Sequence, residues 1–258
     1  MTAGFWTLVI LGGVLGLLLA VAAVWLSVAE NPLIQRIQEI LPGYNCGACG
    51  QSGCAGYAEA LAANSAAIDL CVPGGAETLQ KIAGLLNKEA AAPAGRKIAF
   101  VFCQGGVRAL NAFAYSGILS CQAAAILQGG YKKCARACLG FGDCQKVCMF
   151  GAITISEYGV PRVDLDKCLD CGACLKVCPK KIIQRVPQRE MKQVICSNHD
   201  TPKTAKAVCA AACISCGRCV KKCPFQAIEL KNNLAVIDPD KCTNCGECAG
   251  ECLTGAIV

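Results

Sequence analysis

An uncharged apolar run over residues 1–29, a glycine-rich loop carrying three cysteines, and four cysteine runs, three of them built on one spacing, together predict the fold class. That class is α+β: a single N-terminal transmembrane helix, a small four-cysteine iron–sulfur domain, and two tandem bacterial-type 2[4Fe-4S] ferredoxin units. The predicted boundaries are 1–29 for the anchor, 30–88 for the four-cysteine domain and 89–96 for a linker. The two ferredoxin-like units follow at 97–187 and 188–258.

The anchor rests on length and polarity. Met1 to Ala29 holds no charged residue, and Phe5 to Ala29 is almost wholly apolar. As a helix those residues reach about 37 Å, enough to cross a hydrocarbon layer of about 30 Å with some tilt. Gly12 and Gly16 make a Gly-x3-Gly spacing that lets another helix approach closely. A signal peptide is the rival reading, because Ser27-Val28-Ala29 resembles a cleavage site. Against it, no Lys or Arg precedes the run, which is far longer than a signal core. All 25 basic residues follow the run, so the positive-inside rule places the soluble part in the cytoplasm, anchored at the inner membrane. A reducing cytoplasm also suits free thiolates.

The next segment is a separate metal site. Cys46, Cys49, Cys54 and Cys71 follow a Cys-x2-Cys-x4-Cys-x16-Cys order that differs from the later runs. Glycines around them let the backbone close on the sulfurs and aim N–H groups at them. A helix over Ala55–Ile68 is expected to return the chain from Cys54 to Cys71. A second, over Thr78–Lys88, carries Leu79, Ile82, Leu85 and Leu86 on one stripe. Zinc remains open here, since Cys-x2-Cys pairs also suit it. Pro93 and Gly95 then punctuate a linker.

The remaining chain is a doubled unit. Cys168-x2-Cys171-x2-Cys174-x3-Cys178 is repeated by Cys213-x2-Cys216-x2-Cys219-x3-Cys223 and by Cys242-x2-Cys245-x2-Cys248-x3-Cys252. Three close thiolates hold one cubane and the fourth reaches a neighbouring one. Neither a disulfide framework nor a zinc ribbon imposes a triplet followed by a fourth cysteine and proline. Phe150–Ile155 matches Phe225–Leu230, and each is followed by a turn and a second strand, which predicts a small hairpin in each repeat.

Crossed ligation assigns Cys213, Cys216 and Cys219 to Cys252, and Cys242, Cys245 and Cys248 to Cys223. It likewise assigns Cys168, Cys171 and Cys174 to Cys148. One run departs from the pattern, because Phe141 stands where Cys138 and Cys144 would have a middle cysteine. Cys134 is the expected substitute there, with Cys178 as the distant ligand. Cys103, Cys121, Cys196 and Cys209 remain, and parity predicts that they share a sixth cubane. Val101-Phe102-Cys103 and Val194-Ile195-Cys196 read as equivalent strand ends. Cys134 and Cys209 occupy matching repeat positions and are open to exchanging roles; buried free thiols are the alternative for this last set.

Composition excludes several functions. A formal charge of +7 resembles that of a nucleic-acid binder. Six clusters at roughly −2 each bring about −12, however, so the loaded protein lies near about −5. Lysines beside the ligands compensate that charge or form a docking face for an acidic electron carrier. There is no Gly-x-Gly-x2-Gly loop, no Walker loop and no Ser/His/Asp set, and the one histidine, His199, lies in a polar loop. No catalytic residue is expected in this chain.

The anchor, the Leu41-Pro42-Gly43-Tyr44-Asn45-Cys46-Gly47-Ala48-Cys49-Gly50 loop and Cys138-Leu139-Gly140-Phe141-Gly142-Asp143-Cys144 closely resemble the B subunit family of the Rnf complex. That complex is a membrane-bound ferredoxin:NAD⁺ oxidoreductase coupled to Na⁺ or H⁺ translocation. The resemblance implies a cytoplasmic electron-entry subunit that accepts from soluble ferredoxin and serves partners carrying flavin and NAD. It equally admits reduction of an iron–sulfur transcription regulator, for which a close relative of this subunit is used. A polyferredoxin of another membrane reductase or hydrogenase is the third possibility.

Overall fold

The computed structural model describes residues 2–26, 31–90, 95–188 and 192–258. Residues 27–29 of the predicted anchor, with the cleavage-like triplet, lie outside the described residues, as do residues 91–94 of the predicted linker.

Helix α1 (Thr2–Trp25) has 24 residues and no charged group in its first or last turn. Among the described residues it is the one helix long and apolar enough to cross a membrane, with a mean hydropathy of 2.6 and no part of that window buried. The protein leaves this apolar surface uncovered, which is the membrane-associated arrangement.

Helix α2 (Pro32–Ile40) starts where Asn31 Oδ1 accepts from the Leu33 N–H at 2.9 Å, with Pro32 in the first turn. Helix α3 (Gly53–Ala62) is shorter than expected because Asn64 turns left-handed at φ 54° and ends it. Helix α4 (Gly75–Leu86) begins earlier than the predicted stripe and stops at the left-handed Asn87. Ile37, Leu41, Tyr57, Leu61 and Ile82 form the core of this segment. The buried Tyr57 hydroxyl donates to the Ala67 carbonyl at 2.8 Å, which ties α3 to the loop leading into Cys71.

In the rest of the chain, strand β1 (Lys97–Val101), helices α5 (Cys121–Ile126) and α6 (Asp143–Lys146), and strands β2 (Ile153–Ile155) and β3 (Pro161–Val163) come first. Helix α7 (Ala173–Val177), strand β4 (Ile183–Pro187) and helices α8 (Pro202–Val208) and α9 (Arg218–Lys222) follow. Strands β5 (Ile228–Lys231) and β6 (Leu234–Ile237) and helix α10 (Glu247–Gly250) complete it.

The described sheets are all two-stranded and antiparallel: β1 with β4, β2 with β3, and β5 with β6. The two hairpins lie where the repeat predicted them. The paired strand ends differ: Val101 closes a five-residue strand, whereas Val194 makes only an isolated bridge to Ile257. Its neighbour Cys196 is drawn into a turn, the Cys196 N–H bonding to the Val194 carbonyl.

The loop after Cys103 is pressed onto the β2–β3 turn, with Val107 N–H donating to the Tyr158 carbonyl at 2.9 Å. Gly106 there has φ +46°, and a Cβ would stand 1.8 Å from the Tyr158 oxygen. A Gly106→Ala variant therefore cannot keep this loop in place. It is expected to lose on the order of 2–4 kcal/mol of stability, seen as a lower thermal midpoint of the cluster-loaded protein; an unchanged midpoint would refute the contact.

Candidate metal centres

Five hollows of about 300 to 400 Å³, open mouths included, each carry four cysteines in their walls. Cys213, Cys216, Cys219 and Cys252 line one, and Cys223, Cys242, Cys245 and Cys248 another. Cys148 joins Cys168, Cys171 and Cys174 around a third. The structure thus brings together the sulfurs that the crossed spacing paired. Cys46, Cys49, Cys54 and Cys71 also lie within electrostatic reach of one another, and the last three pack on the N-terminal core.

The two irregular sets are corrected by one exchange. Cys121, not Cys134, lies with Cys138, Cys144 and Cys178, and Cys134 lies instead with Cys103, Cys196 and Cys209. The physical reason is the insertion that carries α5. Ser120 caps this helix, and Asp143 Oδ2 accepts from the Ser120 hydroxyl at 2.8 Å and from Gln122 N–H at 3.1 Å. This buried carboxylate clamps the Ser120–Gln122 turn beside Cys144 and so presents Cys121 where Phe141 left no thiol. Phe141 turns away to pack with Tyr115 and Tyr131, at ring separations of 5.5 and 5.7 Å.

The backbone of the runs is shared even where the ligand is not. The residue before the middle cysteine is left-handed in each regular run: Asp170 at φ 50°, Ser215 at 49° and Asn244 at 61°. Gly140, at φ 78°, takes that place in the irregular run. Such reversals gather N–H groups into an anion-facing concavity.

The central set, Cys103, Cys134, Cys196 and Cys209, draws one pair from each repeat. Gly105 and Cys138 N–H groups donate to Cys103 Sγ at 3.4 Å, and Asn198 and Cys213 N–H groups donate to Cys196 Sγ at 3.4 Å. The two repeats thus contribute equivalent bonds. Glycine leaves room at 105, where a Cβ would crowd Cys209 Sγ at 3.2 Å and touch Cys103 Sγ at 3.6 Å. Asn198, only 4% exposed, also lines this hollow, and its Nδ2 has no partner among the described residues. A buried amide donor left over beside four sulfurs fits an anionic group between them.

The donor chemistry distinguishes one ion from a cluster. Among the described residues, no three His, Cys, Asp or Glu side chains converge closely enough to hold a single metal ion. The sulfurs instead surround a space, which suits a polynuclear iron–sulfur core better than zinc. Burial, above all, raises the thiols: Cys174 to about 12, and Cys134, Cys144, Cys196 and Cys219 to about 11. These sulfurs hold their protons at neutral pH until a cation displaces them.

The six sets stand in single file. Tyr44, beside the Cys46 loop, packs edge-on against Phe150 at 5.1 Å. Burial raises the Cys171 thiol most, and the charge of Cys46 adds to it. Burial raises the Cys174 thiol most, followed by Cys171 and Cys168 of its own set and then Cys144 of the next. The Cys138–Cys103 and Cys213–Cys196 bonds link the irregular set to the central one and the central one to the Cys213 set. Helix α9 carries Cys219 of that set and ends at Cys223 of the last. His199 lies apart from the file, exposed, its ring against the Asn232 carbonyl at 2.9 Å.

Comparison with known proteins agrees with this layout. Residues 41–73 match a family described as a putative Fe-S cluster. Residues 132–182 and 212–256 match a 4Fe-4S dicluster domain, and residues 167–229 match a second family of that description. Cys103 and Cys121 lie outside every matched span.

Among curated proteins, the chain is 45% identical over 249 residues to the B subunit of the Na(+)-translocating ferredoxin:NAD(+) oxidoreductase complex of Acetobacterium woodii, covering 96% of this chain and 74% of that one. It is 39% identical to the B subunit of the ion-translocating oxidoreductase complex of Methanosarcina acetivorans, over 96% of this chain and 94% of the relative. It is also 39% identical to the B subunit of the proton-translocating ferredoxin:NAD(+) oxidoreductase complex of Clostridium ljungdahlii, over 96% and 88%.

One clamp on the Cys168 run is open to direct test. Arg185 of β4 donates to the buried Asp170 carboxylate at 2.6 Å, inside the Cys168–Cys171 loop. An Arg185→Met variant strands that carboxylate and is expected to lose roughly 1–3 kcal/mol, read as a lower thermal midpoint. An Asp170→Asn/Arg185→Met double variant should recover part of the loss; equal loss in both would discount the pair.

Proposed function

Because the chain belongs to the family of Rnf-complex B subunits, the electron-transfer subunits of ion-translocating ferredoxin:NAD⁺ oxidoreductases, we propose that it is the electron-entry wire of such a complex. It accepts electrons from reduced soluble ferredoxin and delivers them to membrane, flavin- and NAD-carrying partners. The relatives' names divide between Na⁺ and proton, and either coupling ion fits this chain.

Six [4Fe-4S] clusters supply one-electron transfer. Their ligands are the six cysteine sets described above, with Cys121 and Cys134 in their exchanged places. The observation that carries this reading is the single file. A relay needs successive centres in contact and no substrate pocket, and each set here meets the next through a backbone bond, an aromatic contact or a short helix, α7 joining Cys174 to Cys178 and α9 joining Cys219 to Cys223.

Direction follows from the two ends. The Cys46 set is packed on α2, the helix that follows the anchor, so this end lies toward the membrane. At the other end, Cys216 and Cys245 are the exposed ligands. Arg218, Lys221, Lys222 and Lys241 lie near them in sequence; all but Lys221 sit in exposed ion pairs, with Glu251, Glu247 and Asp238, that a docking acidic ferredoxin would replace. The positive-inside rule puts this soluble part in the cytoplasm, with functional units over 30–88, 97–187 and 188–258. Nucleic acid is not a partner, since the basic excess is taken up by cluster charge.

In anaerobic membrane vesicles, removing this chain should abolish ferredoxin-dependent NAD⁺ reduction, and restoring it should return the activity. Unchanged activity would assign the chain to another reductase. High salt should slow electron entry from ferredoxin, because it screens the basic face. The cluster-loaded chain should hold about twenty-four iron atoms, and Cys121→Ala and Cys134→Ala should each lose about four. The two variants should lose different paramagnetic signals, Cys121→Ala the same one as Cys138→Ala, and Cys134→Ala the same one as Cys196→Ala. A native content near twenty would remove the central site.

A further inference from the structure

In the central set, four backbone N–H groups donate to the Cys103 and Cys196 sulfurs at 3.4 Å. Cys168, Cys223 and Cys252 receive one each. The unpartnered Asn198 amide adds a further donor in the same wall.

Two lysines are fixed at the crossing between this set and the Cys121 set. Lys132 Nζ donates to the Gly106 and Ala109 carbonyls at 3.0 and 3.2 Å and lies over the Tyr131 ring at 5.1 Å. Ala109 itself lines the central hollow. Burial lowers the Lys132 ammonium most, and Cys138 of one set with Cys103 and Cys209 of the other act against it. Lys180 Nζ donates to the Gly129 carbonyl at 2.7 Å and lines the Cys121 hollow, within electrostatic reach of Cys178 and Cys134. Neither ammonium has a carboxylate partner among the described ion pairs. Both are partly buried and held by neutral carbonyls, Lys132 at a part-buried contact and Lys180 at an exposed one.

We propose that Lys132, supported by Lys180, is a potential-setting residue that makes the central site the preferred resting place of an electron crossing between the two repeats. The proposal rests on the six-cluster reading above. Reduction adds one electron and no proton to a cluster that is already anionic. A fixed positive charge and N–H donors aimed at the sulfurs stabilise that reduced form and raise its potential. An electron that leaves the Cys213 set therefore falls to the middle of the file and must be lifted out toward the Cys121 set.

The test is a dithionite titration of the anaerobically purified, cluster-loaded full chain, followed by electron paramagnetic resonance. The central signal is identified as the one missing from Cys103→Ala. In the native protein it should have the highest midpoint of the six. Lys132→Met should keep the native iron content and lower that midpoint by about one tenfold step in the reduction equilibrium, about 59 mV for one electron. Lys132→Arg should restore it, and Lys221→Met, at the far end, should leave it in place.

Should Lys132→Met lose the central cluster, Lys180→Met takes its place in the titration. Native iron with an unmoved midpoint in Lys132→Met, or in Lys180→Met where that stands in, overturns the proposal and leaves the six-cluster wire intact. A native protein short of one cluster, with Cys103→Ala spectroscopically silent, overturns the wire reading itself.

Discussion

Ligation of sulfur is the constraint on which the rest of this protein depends. The described sheets have two strands each, and the helices after residue 120 run from four to seven residues. Elements that small are not stable by themselves. Their cores are unusual too: cysteines recur through both C-terminal clusters of buried residues, so the interior is organised around sulfur-lined hollows. The free energy that a larger core would supply must come from filling those hollows. The N-terminal segment differs, since Tyr57, Leu61, Ile37 and Ile82 give it a conventional apolar core beside its cysteines.

The central crossing shows how a repeat becomes a continuous path. Each unit brings one strand-end or turn cysteine, Cys103 or Cys196, and one cysteine upstream of its run, Cys134 or Cys209. Neither pair can enclose a cluster alone. Placed face to face, they make a four-sulfur site at the junction, and the same two N–H bonds recur on each side. Gly105 keeps the space open between Cys103 and Cys209, one from each unit. The sixth four-cysteine set thus lies at the boundary between the repeats, with no new motif within either.

Much of this was legible in the sequence. A spacing of three close thiolates states which sulfurs share a site, and a fourth after three more residues states that the neighbour lies one short helix away. The hairpins were legible as well, because alternating apolar residues between two runs leave few other conformations. The exchange of Cys121 for Cys134 was not. Proximity in sequence favoured Cys134, only four residues before Cys138, whereas Cys121 is carried in by a helix whose placement depends on Asp143. The one available signal was Ser120 as a cap ahead of an otherwise unexplained cysteine, with an aspartate directly before Cys144. Lys132 and Lys180 were legible as lysines beside the ligands, but what fixes them was not, since carbonyl partners such as Gly106, Ala109 and Gly129 leave no trace in residue type.

Charge explains why those lysines belong at crossings. Anionic clusters filling neighbouring hollows would repel one another, most where they face each other through protein and not through water. At the exposed end, cations can be supplied by surface pairs such as Lys222 with Glu247 and Arg218 with Glu251, which solvent would replace with little loss. In the middle, solvent cannot substitute, so the charge has to be built in. The cost of half-burying an ammonium is offset by the carbonyls that hold it and by the thiolates on either side. The same formal +7 that resembles a nucleic-acid binder is therefore placed differently: part of it lies beside the four-cysteine sets, where it would offset the negative charge of bound clusters.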